Sequence, residues 1–124
     1  MSSVTFTAPP PGLAPYVDFS LDAVHGAEGL FSLRSTDEAA VRLFLVDPAV
    51  YAPGYRPALS PAQLEPLGPE ASGVQVLLVA NPGEDGTTVN LMAPILLNPA
   101  NGICSQVVLE GSRWPVRAQL PLAE

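Results

Sequence analysis

The sequence predicts a mainly β protein, a single small barrel-like domain of short antiparallel strands with one short helix. Three observations carry this. Fifteen prolines are scattered along the chain, and a proline inside a helix removes a hydrogen bond and clashes with the preceding turn, so long helices are excluded almost everywhere. Between the proline and glycine clusters lie short apolar or alternating runs, the pattern of strands separated by turns. The length, 124 residues, sets one domain over 1–124 that buries about two-thirds of its unfolded surface.

Val4 to Ala8 has the composition of a strand and is stopped by Pro9-Pro10-Pro11-Gly12. Val17 to Leu21 alternates apolar and polar residues, the signature of a half-buried strand. A turn over His25 to Gly29 leads to Leu30–Ser35, and an acidic link with Asp37 and Glu38 leads to Val41–Val46, close enough to form a hairpin. Asp47-Pro48 ends that strand, because the residue before proline is restricted and proline donates nothing to a ladder. Tyr51 to Arg56 reads as an irregular extended segment.

One helix start stands out. Ser60 is the N-cap, Pro61 takes the first helical position, Gln63 completes a capping box, and Leu59 and Leu64 hold the staple positions. Pro66 limits this helix to one or two turns. Gln75–Ala80 is a strongly apolar strand, followed by a loop over Asn81 to Gly86. Val89–Met92 and Ile95–Asn98 are extended and separated by Ala93-Pro94. Asn101-Gly102 marks a hairpin turn into Cys104–Leu109. Trp114 and Val116 form a last edge segment, and Pro121 to Glu124 is a loose tail. Phe31, Phe44, Leu77 and Val108 are assigned to the core.

The composition excludes several functions. The net charge is −7, all five cations are arginine, and lysine is absent. Phosphate backbones need clustered cations, so nucleic acid is not expected as a direct ligand. Acidity suits a basic protein partner, steered by opposite charge, and equally serves plain solubility. No apolar run reaches the ~20 residues of a membrane span, and the N-terminal stretch lacks the features of a secretory signal. A cytoplasmic monomer is the expectation.

Cys104 is the single cysteine; it reads as a small core hydrophobe. His25 is the single histidine and sits in a glycine-flanked turn, without a nucleophile motif or a metal-ligand cluster around it. The acidic pairs Asp37-Glu38 and Glu84-Asp85 fall in solvated turns, with no apolar pocket to separate their pKa values. No P-loop, dinucleotide fingerprint or calcium loop is present. No cofactor and no enzyme activity are expected; a binding module is.

The densest signal is Thr88 to Leu109, TVNLMAPILLNPANGICSQVVL. Polar amides in such an apolar run need hydrogen-bond partners. The pattern T-x-N-L-x-A-P-I-L-L-N, a turn, then Q-V-V-L resembles the FliW family of flagellar assembly factors. The resemblance extends to G-L-F-S-L-R-S-T-D-E (Gly29 to Glu38), L-F-L-V-D-P (Leu43 to Pro48), Y-A-P-G-Y-R-P-A-L-S (Tyr51 to Ser60) and Val76 to Pro82, in the family's order. It departs at the front, where V-T-F-T runs straight into A-P-P-P-G-L in place of the family's F-G-x-L-E turn, and this puts the first strand pair and the closure of the barrel in question.

The resemblance implies two protein partners, flagellin and CsrA, a small RNA-binding translational repressor. In that scheme the free protein captures CsrA and relieves its repression of flagellin mRNA, and new flagellin releases CsrA again by partner switching. The alternative is a β-rich interaction module outside motility. Six residues are candidates for protein binding. Asn90, Asn98 and Gln106 either tie strands together or stand on an exposed edge and pair with a partner's backbone. Tyr51, Tyr55 and Arg56 either serve as interface anchors or form a packed loop over the sheet edge. Acidic candidates are Asp37, Glu38, Asp47, Glu65 and Glu70.

Overall fold

The computed structural model describes residues 2–10, 12–68, 73–84, 86–109 and 114–119. Among them are strands β1 (Ser2–Phe6), β2 (Asp18–Ala23), β3 (Leu30–Ser35), β4 (Arg42–Val46), β5 (Gln75–Gly83), β6 (Gly86–Val89), β7 (Ile95–Asn98), β8 (Ile103–Gln106) and β9 (Ala118–Gln119). Two short helices, α1 (Pro48–Tyr51) and α2 (Pro61–Leu64), lie between β4 and β5.

Seven of the strands close into a barrel in the order β1-β2-β3-β4-β5-β7-β8, and β6 and β9 extend the sheet beyond β5. An odd ring cannot alternate direction throughout, so one seam must be parallel. That seam is β1 against β8, with Thr5 opposite Ile103 and Phe6 opposite Cys104. The other pairings are antiparallel, as expected. The first strand pair, left in question by the sequence, is formed: β1 runs antiparallel to β2 from Ser2↔Leu21 to Thr5↔Asp18.

Alternation along the strands sorts side chains into two apolar layers. Val4, Phe6, Phe19, Leu33, Leu45, Leu77, Ile95, Leu97 and Cys104 fill the barrel. Phe6 and Phe19 meet edge to face, ring centres 5.4 Å apart. On the outer face of β4, β5 and β6, a second cluster joins Val46, Leu78, Ala80 and Val89 to Ala52, Tyr55, Leu91 and Leu109 from the loops and Ala118 from β9. Strands buried on both faces read as continuous apolar runs, which accounts for RLFLV and QVLLVA.

Several boundaries differ from those expected. Asp47 ends β4 but also caps α1, its carboxylate accepting from the Ala49 N–H at 2.9 Å. Pro48 then sits at a helix start, where its missing N–H costs nothing. The extended segment expected from Tyr51 therefore begins inside a helical turn. The second helix matches its sequence signal, with both arms of the Ser60–Gln63 capping box in place; a 3-10 turn over Glu65–Leu67 follows.

Asn81 to Gly86 is mostly strand, because β5 continues to Gly83 and pairs with β6. Pairing of β5 with β4 stops at Ala80, before Pro82, which has no N–H to offer. The last edge strand is Ala118–Gln119, downstream of Trp114 and Val116. Strand β8 ends at Gln106, so Val108 is not a core residue; it is 49% exposed. Glu70, Asp85 and the tail 121–124 lie outside the described residues.

Candidate protein-interaction surface

The segment that dominated the sequence folds into a hydrogen-bonded bend. Strands β6 and β7 lie in succession along one edge of β5, and between them the chain carries three residues more than a regular ladder accommodates. Asn90 organises the excess. Its side-chain oxygen accepts from the N–H groups of Met92 (3.0 Å) and Ala93 (3.1 Å), the local competition with backbone pairing that asparagine performs well.

Four successive carbonyls of the bend then find separate donors. The Tyr55 hydroxyl donates to Leu91 at 2.6 Å and the Leu109 N–H to Met92 at 2.7 Å. The Gln106 side-chain amide donates to Ala93 at 3.0 Å and the Val107 N–H to Pro94 at 3.1 Å. An irregular turn can sit in the outer core only with its polar groups matched in this way.

Asn98 makes a second knot. It is 0% exposed. Its amide donates to the Leu67 carbonyl at 2.9 Å and its oxygen accepts from the Ala100 N–H at 3.0 Å. Asn101 donates to the same Leu67 carbonyl at 3.0 Å. The short helical segment before β5 is thereby fastened to the β7–β8 hairpin. No buried side-chain nitrogen or oxygen lacks a partner among the described residues.

The six candidates therefore separate. Asn90, Asn98 and Gln106 tie chain segments together, and none extends an open strand edge. Tyr55 is 6% exposed, its ring 4.7 Å from that of Trp114 and its phenol pushed up to about 12 by burial. Tyr55 and Asn98 thus take the structural one of the two roles open to each, a packed loop residue and a tie between chain segments. Their polar tips follow from burial, since a phenol or amide in an apolar layer must reach a partner. Tyr51 is half-buried, and its hydroxyl donates to the Glu28 carbonyl at 3.0 Å. Arg56 is exposed.

Beside Tyr51 lies a groove that the sequence reading did not find. It is an apolar hollow of about 400 Å³ lined by Leu30, Phe44, Val46, Tyr51, Ala80, Pro82 and Thr87. The registers Leu30↔Val46, Phe44↔Ala80 and Pro82↔Thr87 set these residues in a row across the outer faces of β3 to β6. Arg42 stands at one end with its guanidinium 4.8 Å from the Phe44 ring centre. Phe44, assigned to the core from sequence, is thus half-buried at a surface groove. The available signal was the apolar residue at every position of LFLV, which requires covering on two sides.

Among the described residues no group of three or more His, Cys, Asp or Glu could hold a metal ion, and no helix is long and apolar enough to cross a membrane. Burial pushes the Cys104 thiol up to about 12, as expected of a core hydrophobe. The Ser35 hydroxyl accepts the N–H groups of Asp37 and Glu38 at 3.1 Å each, which places that acidic pair in a defined, exposed turn.

A small closed barrel with a second apolar layer outside it, a tied-down bend and an open groove belongs to the class of rigid β scaffolds that present loops and grooves to other molecules. Within that class the chain belongs to the FliW family: the model of the family described as "FliW protein" matches residues 1–120. It is 34% identical over 119 residues to the flagellar assembly factor FliW of Symbiobacterium thermophilum, covering 90% of this chain and 86% of that protein. It is 37% identical over 87 residues to the flagellar assembly factor FliW of Syntrophus aciditrophicus, covering 68% of this chain and only 55% of that protein's length. A crystal structure of the flagellar assembly factor FliW superposes with a TM-score of 0.86 at 26% identity, over 98% of this chain and 86% of the other.

Proposed function

We propose that this chain is a cytoplasmic flagellar assembly factor that acts by binding proteins and not by turnover. Its ligands are flagellin and the translational repressor CsrA, and partner switching between them relieves repression of flagellin mRNA translation. The observation that carries this reading is the FliW family match over residues 1–120. The net charge of −7 supports it, because a repressor that grips RNA is basic where it does so. An acidic protein docked beside that surface associates quickly and opposes RNA phosphates. In this reading Tyr51 and Arg56 touch a partner, while Tyr55, Asn90, Asn98 and Gln106 hold the surface in shape.

The test is co-elution of the chain with purified CsrA and, separately, with flagellin of the same organism. Complexes with both, and release of CsrA from a preformed complex by flagellin, are the expected results, with CsrA binding weakening as salt rises. If neither partner binds at low salt, the reading is wrong and an interaction outside motility takes its place.

A further inference from the structure

We propose that Asn101 is a latent modification site: hydrogen bonds of the fold keep its amide intact, and release of that clamp lets it deamidate to aspartate and isoaspartate. The proposed function plays no part in this inference, which rests on bond chemistry and on the geometry of the β7–β8 turn.

Deamidation needs the backbone nitrogen of the next residue to reach the asparagine side-chain carbon. The chain has four asparagines. Asn81 and Asn98 precede prolines, whose ring nitrogens carry no N–H to act as nucleophile. Asn90 precedes Leu91, whose branched side chain crowds the approach. Asn101 precedes Gly102, which has no Cβ to hinder attack. Asn101 is also exposed, so water reaches it.

The Gly102 nitrogen bonds to Asn101 Cγ and loses its proton. The Cγ–Nδ2 bond breaks, and Nδ2 leaves with that proton as ammonia. Water then opens the cyclic imide. Attack at Cγ gives aspartate, and attack at the backbone carbonyl gives isoaspartate, in which the main chain runs through the side chain.

The turn restrains both reacting groups. The Gly102 N–H donates to the Asn98 carbonyl at 2.8 Å. Asn101 Nδ2 donates to the Leu67 carbonyl and its Oδ1 accepts from the Ile103 N–H, each at 3.0 Å. A Cβ on Gly68 would stand 3.0 Å from Nδ2, and one on Gly102 3.0 Å from the Ser3 carbonyl, so the chain lies close on both sides. Ring closure turns the Asn101 backbone and side chain towards each other, out of the Asn98 and Leu67 bonds.

The product has no N–H for Leu67. The 3-10 turn over Glu65–Leu67 then keeps only the Asn98 donor at 2.9 Å, and a new carboxylate faces a carbonyl. One opening of the clamp therefore leaves a permanent mark that favours further opening.

Mass spectrometry with fragment-ion assignment follows conversion in mildly alkaline buffer, for native and urea-unfolded protein side by side. Hydrogen exchange of the Gly102 amide is measured on the native protein. Leu67→Ala removes a fully buried side chain that anchors the clamp, and circular dichroism reports its folding. Gly102→Val is read in urea, where its effect on folding is immaterial.

In urea Asn101 should convert before the other asparagines, and Gly102→Val should slow it at least about tenfold. The native protein should convert at least about tenfold more slowly than the unfolded chain, with a protected Gly102 amide, because reaction waits on local opening. Folded Leu67→Ala should convert faster than wild type. Another asparagine reacting first in urea, an unaffected Gly102→Val, equal native and urea rates, or a Gly102 amide that exchanges as in a free peptide overturns the inference. So does a folded Leu67→Ala that reacts no faster than wild type. If that variant does not fold, the amide exchange and the ratio of native to urea rates decide alone.

Discussion

Replacing Asn98 by aspartate keeps the volume and shape of the side chain and changes one donor into an acceptor. The amide that donates to the Leu67 carbonyl at 2.9 Å becomes a second oxygen facing that carbonyl, at a position with 0% exposure. The neutral acid can restore the bond by donating its O–H, while its other oxygen keeps the Ala100 N–H at 3.0 Å. The carboxylate cannot. The folded state therefore holds the proton more tightly than the unfolded chain, and the folded pKa of the introduced carboxyl lies above the unfolded value of about 3.9.

The sign follows from linkage. The native state binds more protons than the unfolded state above about pH 4, so stability is retained below that value and lost as pH rises towards the folded pKa. At about 1.4 kcal/mol per pH unit, the loss at pH 7 has a ceiling of about 4 kcal/mol. The Ala100 N–H favours the ionised form and lowers this ceiling. Even half of it is a large share of the roughly 5–15 kcal/mol that a domain possesses. Urea unfolding of wild type and Asn98→Asp at several pH values between about 4 and 7 measures the difference. The gap should be small at the acidic end and widen steadily. A gap that does not change with pH refutes the reasoning, because the Leu67 contact would then not depend on a donor at this position.

Further outcomes are expected at Tyr55, Gly102 and Cys104. Tyr55→Phe should cost about 1–1.5 kcal/mol in denaturant unfolding, because the Leu91 carbonyl loses its 2.6 Å donor inside the outer core. In the wild type, phenolate absorbance of Tyr55 should rise only near pH 12, and with its pKa raised, stability should fall as pH climbs from about 10 towards that value. Gly102→Ala should destabilise by roughly 1–3 kcal/mol, since Gly102 sits at φ 74° and an added Cβ comes to 3.0 Å from the Ser3 carbonyl at the parallel seam; an unchanged melting temperature would count against the assigned seam. Cys104 should resist a thiol-reactive probe in the native protein and react fully in denaturant, as its 2% exposure and raised pKa require; rapid native labelling would show that the β7–β8 side of the barrel opens.

Much of the fold could be read from local chemistry. Proline and glycine spacing excluded long helices, the LFSLRS and RLFLV runs fixed a hairpin, and Ser60-Pro61-Ala62-Gln63 announced a capped helical turn that forms with both hydrogen bonds. Asn101-Gly102 placed the β7–β8 turn. These signals depend on a few neighbouring residues, and their energies act over one turn or one hairpin. The motif around Asn90 and Gln106 was also visible as polar groups that had to be satisfied, although their partners were not, because Ala93 accepts from a residue 13 positions away.

Turn positions, strand-forming runs, the acidic balance and the family pattern all reside in local residue order, and together they set the class of the protein. The parallel β1–β8 seam, by contrast, arises only when an odd number of strands closes into a ring. Long-range packing likewise sets the fates of Tyr51 and Tyr55. Four residues apart, Tyr51 at the end of α1 and Tyr55 in the loop after it separate into a groove wall beside Ala80 and Pro82 and a buried anchor against Leu91 and Trp114. The physical reason is the same in both cases. Burial and strand partnership depend on which distant segments arrive at a surface, and pairs such as Tyr55–Leu91 or Asn98–Leu67, separated by 36 and 31 residues, are set by closure of the barrel and not by any property of their sequence neighbours.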